Sequence, residues 1–419
     1  MQEAEKTLPI ELESQKGKGR LPVTAVLSTN LLLIGIASAS IAPYRAIVAI
    51  DNLGISNAAY AVIMIVTSVA TALVSLLLGY YSDRIPDRRQ LVLACAILGA
   101  MAYGLIGLYP TQLTYIIGFC VILPFGGSLF SQTFSYSRAY FDLRQPDRAE
   151  FMVSVLRSLY TVAWIIVPPI AGWIASEYSV FNLFGVAVLA NLSFTLIFGL
   201  LFTDSQTRVG SSGNKQSESE AVGWHMPLDR LVGIGGVTLV RVALALHLTT
   251  LALALITDFG GTFRDVGIRA GISAGLQVPF MLLWGLAQAR LSKETILFVN
   301  ALLYALYLLL LFFVAQSVWH VFWLQGLNAI ANAALLSISI SYMQESIKGR
   351  VGLSTSLMDV VTVASTFLAA TVFASFSSEE SYIAVFAVAG VFSVVGAGVI
   401  GISRRLRLGR VEEAMIHHL

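Results

Sequence analysis

The sequence predicts an all-α membrane protein: twelve transmembrane helices in two pseudo-symmetric six-helix bundles. Three observations carry this. Of 419 residues, 57% are hydrophobic and 12% charged, with a mean hydropathy of +0.78, too little polar surface for a water-soluble body of this size. Twelve apolar stretches approach the roughly 20 residues that a membrane-crossing helix needs; they fall near 22-43, 58-81, 91-109, 113-137, 151-175, 181-203, 231-257, 266-289, 295-315, 319-342, 354-376 and 382-402. The one long polar interruption, Thr203 to Asp229, parts six spans from six.

Taken in order, residues 1-20 form a mixed-charge cytoplasmic tail with no apolar run fit for a signal peptide. Residues 21-203 make the N-terminal bundle. Its first span carries Asn30, Ser38 and Tyr44, and its second and third spans meet at a charge-dense hinge, Gly79 to Gln90. Span four places Ser128, Gln132 and Ser135 on one helical face, and span five holds Arg157, Trp164 and the pair Pro168-Pro169. Residues 204-229, rich in Ser, Gly, Gln and Glu, read as a flexible cytoplasmic linker. Residues 230-403 repeat the plan: Arg241 and His247 in span seven, the stripe Gln325, Asn328 and Asn332 in span ten, and Asp359 in span eleven. Residues 404-419 form a basic cytoplasmic tail with an amphipathic look.

A weak internal repeat supports the division. Gly79 and Arg84 recur as Gly285 and Arg290 at the same spacing, and Arg148 precedes Arg157 by nine residues as Arg350 precedes Asp359. Charge sets orientation. Twenty-one of the 26 Lys and Arg residues fall on the side of the N-terminus, three (Arg45, Arg264 and Arg269) on the other, and Arg157 and Arg241 within spans. By the positive-inside rule both termini are cytoplasmic.

Several classes of chemistry are excluded. There is no GxxxxGK[ST] loop, no HExxH and no hydrolase triad pattern, so neither an enzyme nor a nucleotide-driven pump is expected. The five His residues are scattered, and Cys95 and Cys120 lie inside spans, which points to no metal, no cofactor and no disulfide. No nucleic-acid partner is expected.

The informative residues are polar groups in an apolar setting. A charge in hydrocarbon costs about 2.5–3.5 kcal/mol even on lenient scales, so Arg157, Arg241 and Asp359 require a partner, a wet cavity or a snorkelling route. Arg157 can snorkel; Asp359 is too short, and Arg241 can reach it. His247 fits either a hydrogen-bonded packing role or a proton relay. Binding a polar solute that has an apolar face needs amides and hydroxyls for its polar rim and an aromatic plate for that face. Asn30, Gln132, Gln325, Asn328 and Asn332 supply the first, and Trp164 the second.

Motifs add a resemblance. Gly79-Tyr-Tyr-Ser-Asp83-Arg84-Ile-Pro-Asp87-Arg88-Arg89 resembles the loop between the second and third helices of major facilitator superfamily transporters. Gln132-Thr-Phe-Ser-Tyr-Ser-Arg138, Ser154-Val-Leu-Arg157, Gly326-Leu-Asn328 and Tyr342-Met-Gln344 through Ser356 are similar to stretches of the bacterial sugar efflux transporters. The resemblance implies the major facilitator fold, in which helices one, four, seven and ten line a central cavity. It implies a multi-pass inner-membrane exporter of sugars or glycosides working by alternating access, coupled to a proton gradient as an antiporter, and acting as a monomer in the lipid bilayer. It also implies that Gly79 permits close helix approach, that Asp83 meets the start of span eleven, and that Arg84, Arg88 and Arg89 hold the cytoplasmic face as a gating motif. Pro168-Pro169 through Gly172 resembles the fifth-helix signature of antiporters and supplies a bend. A proton-coupled multidrug exporter of the same fold is the alternative; a non-transporting sensor or receptor would be a different class.

Overall fold

A computed structural model describes residues 23–82, 84–210, 227–346, 351–376 and 381–416. Among them there is no strand, and twelve helices are long and apolar enough to cross a membrane. They are α1 (Val23–Asn52), α2 (Asn57–Ser82), α3 (Arg88–Leu108), α4 (Gln112–Arg144), α5 (Pro146–Glu177) and α6 (Asn182–Thr203) in the first half. In the second they are α7 (Leu228–Thr257), α8 (Phe263–Ala287), α9 (Lys293–Phe313), α10 (Val318–Ser346), α11 (Leu357–Ala374) and α12 (Ile383–Arg410). The N-terminal tail (1–20), most of the expected linker and the last residues, His417 to Leu419, lie outside the described residues. The face bearing the ends of α1, α6, α7 and α12 nearest the tails and linker is called the terminal face below, and the other the opposite face.

Two spans depart from simple α-helix. The first was expected to stop at Pro43, yet α1 continues to Asn52 through a 3-10 turn at Ala42–Tyr44 and a π turn at Val48–Asn52. Pro is tolerated in the first turn of a new helical segment, where its missing N–H costs little, so it marks a joint rather than an end. Gly54, at φ +67°, then reverses the chain into α2. Arg45 is thereby drawn into the span. α4 has a similar joint, with a π turn at Gly118–Ile122 followed by Pro124. By contrast α5 stays helical through Pro168-Pro169.

Each bundle is locked at the terminal face by a buried ion pair. In the N-terminal bundle Arg89 binds Asp87 at 2.7 Å and also donates to the carbonyls of Leu201 and Asp204 and the hydroxyl of Thr207. Residues at the head of the expected linker are packed: Tyr136 donates to the Thr207 carbonyl, Arg88 N–H to the Val209 carbonyl, and Val209 is buried. Burial works to raise the Asp87 carboxyl, but hydrogen bonds from the Arg89 side chain and N–H outweigh it and hold Asp87 below the ordinary range.

In the C-terminal bundle Glu294, at the start of α9, takes Arg407 at 2.6 Å and Arg230 at 3.3 Å, and Arg410 pairs with Asp229. The basic segment after residue 403 thus continues the α12 helix, to Ile416. Arg407 and Arg410 reach the buried Glu294 and Asp229, Arg410 while itself exposed; Arg404 and Arg405 are exposed beside an open groove with Phe298 and Gly401.

The bundles meet at the opposite face. Glycines on α5 and α8 bring backbones together: a Cβ on Gly267 would lie 2.1 Å from the Pro168 carbonyl oxygen, and one on Gly172 2.7 Å from that of Phe263. Tyr44 donates to both the Pro168 and Phe263 carbonyls, at 3.2 and 3.3 Å. Asn57 on α2 donates to the Phe376 carbonyl and accepts from Tyr382. Tyr60 and Phe373 meet edge to face at 6.1 Å.

Candidate functional site

Near mid-depth, both bundles offer polar atoms with no protein partner. Trp164 on α5 is half-buried, and its Nε1 donates to nothing among the described residues. Asn332, close to the midpoint of α10, is 6% exposed with an unpaired Oδ1. Asn30 on α1 is fully buried with both amide atoms unpaired. Gln132 on α4 is buried, and among the described residues its side chain makes no hydrogen bond. Buried polar groups are ordinarily satisfied, so these four call for water or a hydroxyl-bearing ligand.

An aromatic ladder leads from Trp164 toward the terminal face. Trp164 lies 6.4 Å from Tyr160, Tyr160 4.5 Å from Phe130 on α4, and Phe130 5.8 Å from Phe134. The exposed Arg157 guanidinium ends it, 5.1 Å over the Phe134 ring. Arg157 is thus supported by a ring face and accessible surface instead of a carboxylate.

Gln325 and Asn328 behave differently from Asn332 on the same stripe, because neighbours already hold them. Gln325 Nε2 donates to Tyr307 Oη at 3.2 Å, and Asn328 Nδ2 donates to Gln325 Oε1 at 3.0 Å and to Ser273 Oγ at 3.1 Å. The chain of bonds runs on through His247, whose Nε2 and Nδ1 lie 2.8 Å from Tyr307 Oη and Tyr304 Oη. In one consistent assignment Tyr307 accepts from Gln325 and donates to His247 Nε2, while Nδ1–H donates to Tyr304. A neutral imidazole completes this network, so His247 is held as a bonded bridge between α7 and α9. The Asn328 Oδ1 remains unpaired.

Arg241 and Asp359 do not form the expected ion pair. Arg241 Nη2 donates to Thr362 Oγ1 at 3.1 Å, one turn from Asp359 on α11. Its Nε is buried and unpaired, and Asp359 is half-buried with no salt bridge among the described residues. A small cavity beside Arg241, lined by Val237, Leu244, Leu335 and Ser339, lies within the C-terminal bundle. The reason is reach: the guanidinium finds a hydroxyl on the α11 face nearest α7 before it finds the carboxylate.

Of the hinge residues, Asp83 lies outside the described residues. Gly79 does not mediate close approach here: it is exposed, and an added Cβ would meet nothing within 4 Å, as at its counterpart Gly285. Arg84 stacks on Tyr80 at 3.5 Å, Arg88 donates to the Ser82 carbonyl, and Arg89 is the buried clamp described above.

Two cations were misplaced by sequence reasoning. Arg269, counted outside by the charge partition although it falls within the predicted stretch 266-289, lies inside α8, 7% exposed. Arg45 is half-buried in α1, its guanidinium 4.6 Å over Phe119 and its Nε unpaired. The signal available was the nearby Tyr44, Tyr60, Tyr304 and Tyr307, hydroxyls that can accept from a guanidinium in an apolar segment.

Twelve spans in two bundles, sealed through helices two, five, eight and eleven, define a membrane transporter rather than an enzyme. Residues 27–232, just under half of the chain, match the profile of the Major Facilitator Superfamily, whose transporters share this fold. The chain's curated relatives include "Sugar efflux transporter A" of Escherichia coli (strain K12), 25% identical over 89% of this chain and 94% of that protein. The protein of that name from Dickeya chrysanthemi is 28% identical over 71% of this chain and 74% of its own length. Among solved structures, a point mutant of the nucleoside transporter NupG superposes with a TM-score of 0.76 at 13% identity, covering 91% of this chain and 99% of that one. The peptide transporter POT in complex with sulfate gives a TM-score of 0.76 at 12% identity, over 92% and 95%. At that identity these two bear on the fold alone.

Proposed function

We propose that this protein exports sugars or glycosides across the bacterial inner membrane as a monomer with both termini in the cytoplasm. The observation that carries the reading is the set of unpaired buried amide and indole atoms at Asn30, Trp164, Asn328 and Asn332, drawn from both bundles. A sugar presents hydroxyls that satisfy such atoms in numbers and an apolar ring face that stacks on Trp164 or Tyr160. The relatives named sugar efflux transporters support the same substrate class. Gln325 and Asn328 act in this reading as the fixed floor, and Gln132 and Asn332 as the groups that turn toward substrate.

Alternating access is the mechanism we infer. Among the described residues, every hydrogen bond between the bundles lies in the half of the molecule at the opposite face. That is the arrangement expected of a carrier closed outward, with its site served from the cytoplasm; rocking the bundles would exchange the seam for one at the terminal face. Proton antiport is assigned to Asp359. This half-buried carboxyl has no counter-ion among the described residues, and Arg241, held one turn away on Thr362, can move onto it in the other state. A neighbouring guanidinium favours the ionised carboxylate, so alternation between those two partners would release and take up a proton.

Counterflow of a labelled, non-metabolised glucoside or galactoside in vesicles of purified protein tests the reading. Exchange should be saturable and lost in Asn332→Ala. Movement of lipophilic cations with no sugar moved would transfer the assignment to a drug exporter, whose substrates the ladder Trp164, Tyr160, Phe130 and Phe134 would hold.

A further inference from the structure

The half of the molecule that seals the opposite face contains two guanidinium groups deep in the protein and, among the described residues, no carboxylate paired with either. Arg269 is buried, and among the described residues nothing accepts a hydrogen bond from its guanidinium and no acidic group lies within ion-pair distance. Its electrostatic neighbours are Tyr44, Tyr304, Tyr307 and His247. Arg45 likewise has Tyr60, Tyr103 and Tyr115 around it and a phenyl ring beneath it. All of these are neutral, so among the described residues neither positive charge has a counter-ion.

Their positions relate them to the seam. Tyr44, which joins α1 to α8, lies in the field of Arg269. Tyr60, which joins α2 to α11, lies in the field of Arg45. Each of the two lines along which the bundles must part therefore has a fixed cation beside it. Among the described residues, the acidic groups on this face, Asp51, Asp258, Asp265 and Glu177, are exposed or half-buried at the rim. Their fields are screened by salt within about 8–10 Å, whereas charges in a low-dielectric interior are screened much less.

We propose that Arg45 and Arg269 set the charge selectivity of the carrier: the route to the opposite face rejects cationic hexoses and passes neutral and acidic ones. This rests on the transport reading above and narrows it. A fixed guanidinium turns back cations as cationic barriers do in other membrane pores. At an effective dielectric constant of about 20, a unit charge about 8 Å away alters the occupancy of a monovalent ion by about thirtyfold. Among the described residues nothing accepts from Arg269, so its guanidinium can offer a carboxylate a bidentate partner.

The test uses full-length protein in vesicles at zero membrane potential, with three hexose derivatives of similar size: methyl glucoside, glucuronate and glucosamine. Measurements are made at about pH 6, where an amine of ordinary pKa is charged. Wild type should move glucosamine at least tenfold more slowly than methyl glucoside and glucuronate at least as fast. Arg269→Gln should bring the glucosamine to methyl glucoside ratio up about tenfold, and Arg269→Lys should leave it low. A merely structural arginine would lower all three rates together and leave the ratio unmoved. If Arg269→Gln does not fold, Arg45→Gln and the wild-type ratio carry the test. Equal rates for the three sugars in wild type, or an unchanged ratio in the glutamine variants, overturn the charge inference and leave sugar export standing. Absence of movement of all three sinks both.

Discussion

Replacing Arg89 by Gln probes the clamp that joins α3 to the end of α6. The side chain is 6% exposed and makes bonds to Asp87, Leu201, Asp204 and Thr207, with the Phe202 ring 4.7 Å away. Gln keeps one donor group and loses the charge. Asp87 is then a nearly buried carboxylate without its cation, and breaking a buried pair by removing one partner costs about 3–5 kcal/mol. Of the carbonyls left behind, Leu201 still accepts from Thr207, which limits any further loss. Thermal unfolding of the purified protein in detergent should show the N-terminal bundle melting roughly 6–20 °C lower, taking about 2–4 °C per kcal/mol for a unit of that size. Release of the packed turn should also speed tryptic cleavage after the exposed Arg208. Arg89→Lys should recover little, because an ammonium cannot span the fork of acceptors. An unchanged melting temperature together with unchanged cleavage at Arg208 would refute the clamp.

The same pair predicts a pH window. The folded Asp87 pKa is depressed, so its stabilisation is present above the unfolded value of about 3.9 and fades as pH falls through the lower folded value; a melting profile that loses stability already at pH 6 through this bundle would contradict it. His247→Phe should leave the hydroxyls of Tyr304 and Tyr307 short of partners and cost about 1–3 kcal/mol, with Tyr304→Phe partly redundant in a double-mutant cycle by thermal shift; full additivity would deny the bridge. Asp359→Asn should abolish pH-driven sugar accumulation while counterflow persists, and accumulation that still follows pH would dismiss this carboxylate. Gly267→Ala should part the bundles at the opposite face and raise labelling of a cysteine placed at Ser176, and unchanged labelling would exclude a seam held by backbone contact.

Spans and halves were legible because they rest on hydrophobic content and length, which bilayer thickness constrains directly. The resemblance carried the family. What failed were side-chain partners. Pro43 read as a stop because sequence cannot distinguish a helix end from a 3-10 joint, and with the misplaced boundary went Arg45. Arg269 fell within the apolar stretch 266-289, and only the charge partition set it outside; it lies one to two turns inside α8. The stripe Gln325, Asn328 and Asn332 lies on one helix as its spacing implies, yet two of its members are tied to Tyr307 and Ser273, a difference set by neighbouring helices that periodicity does not see. Arg241 could reach Asp359 by length alone; a Thr on the intervening turn took it instead.

The distribution of ion pairs explains how such a molecule can be both rigid and mobile. Among the described residues all salt bridges are internal to one bundle and lie toward the terminal face: Arg89 with Asp87, Arg138 with Asp142, Lys293 with Glu345, and the Glu294 and Asp229 pairs. The seam at the opposite face uses neutral groups, namely Tyr and Asn side chains on backbone carbonyls and glycines set against backbone. Parting a buried ion pair strands two charges at several kcal/mol each, whereas parting a neutral hydrogen bond into water exchanges one partner for another at about 0.5–1.5 kcal/mol. Two bundles stiffened internally by charge and joined externally by neutral contacts can separate as bodies without coming apart inside. Arg45 and Arg269 fit that division: both sit within a bundle, beside the seam, and among the described residues neither holds a salt bridge that opening would have to break.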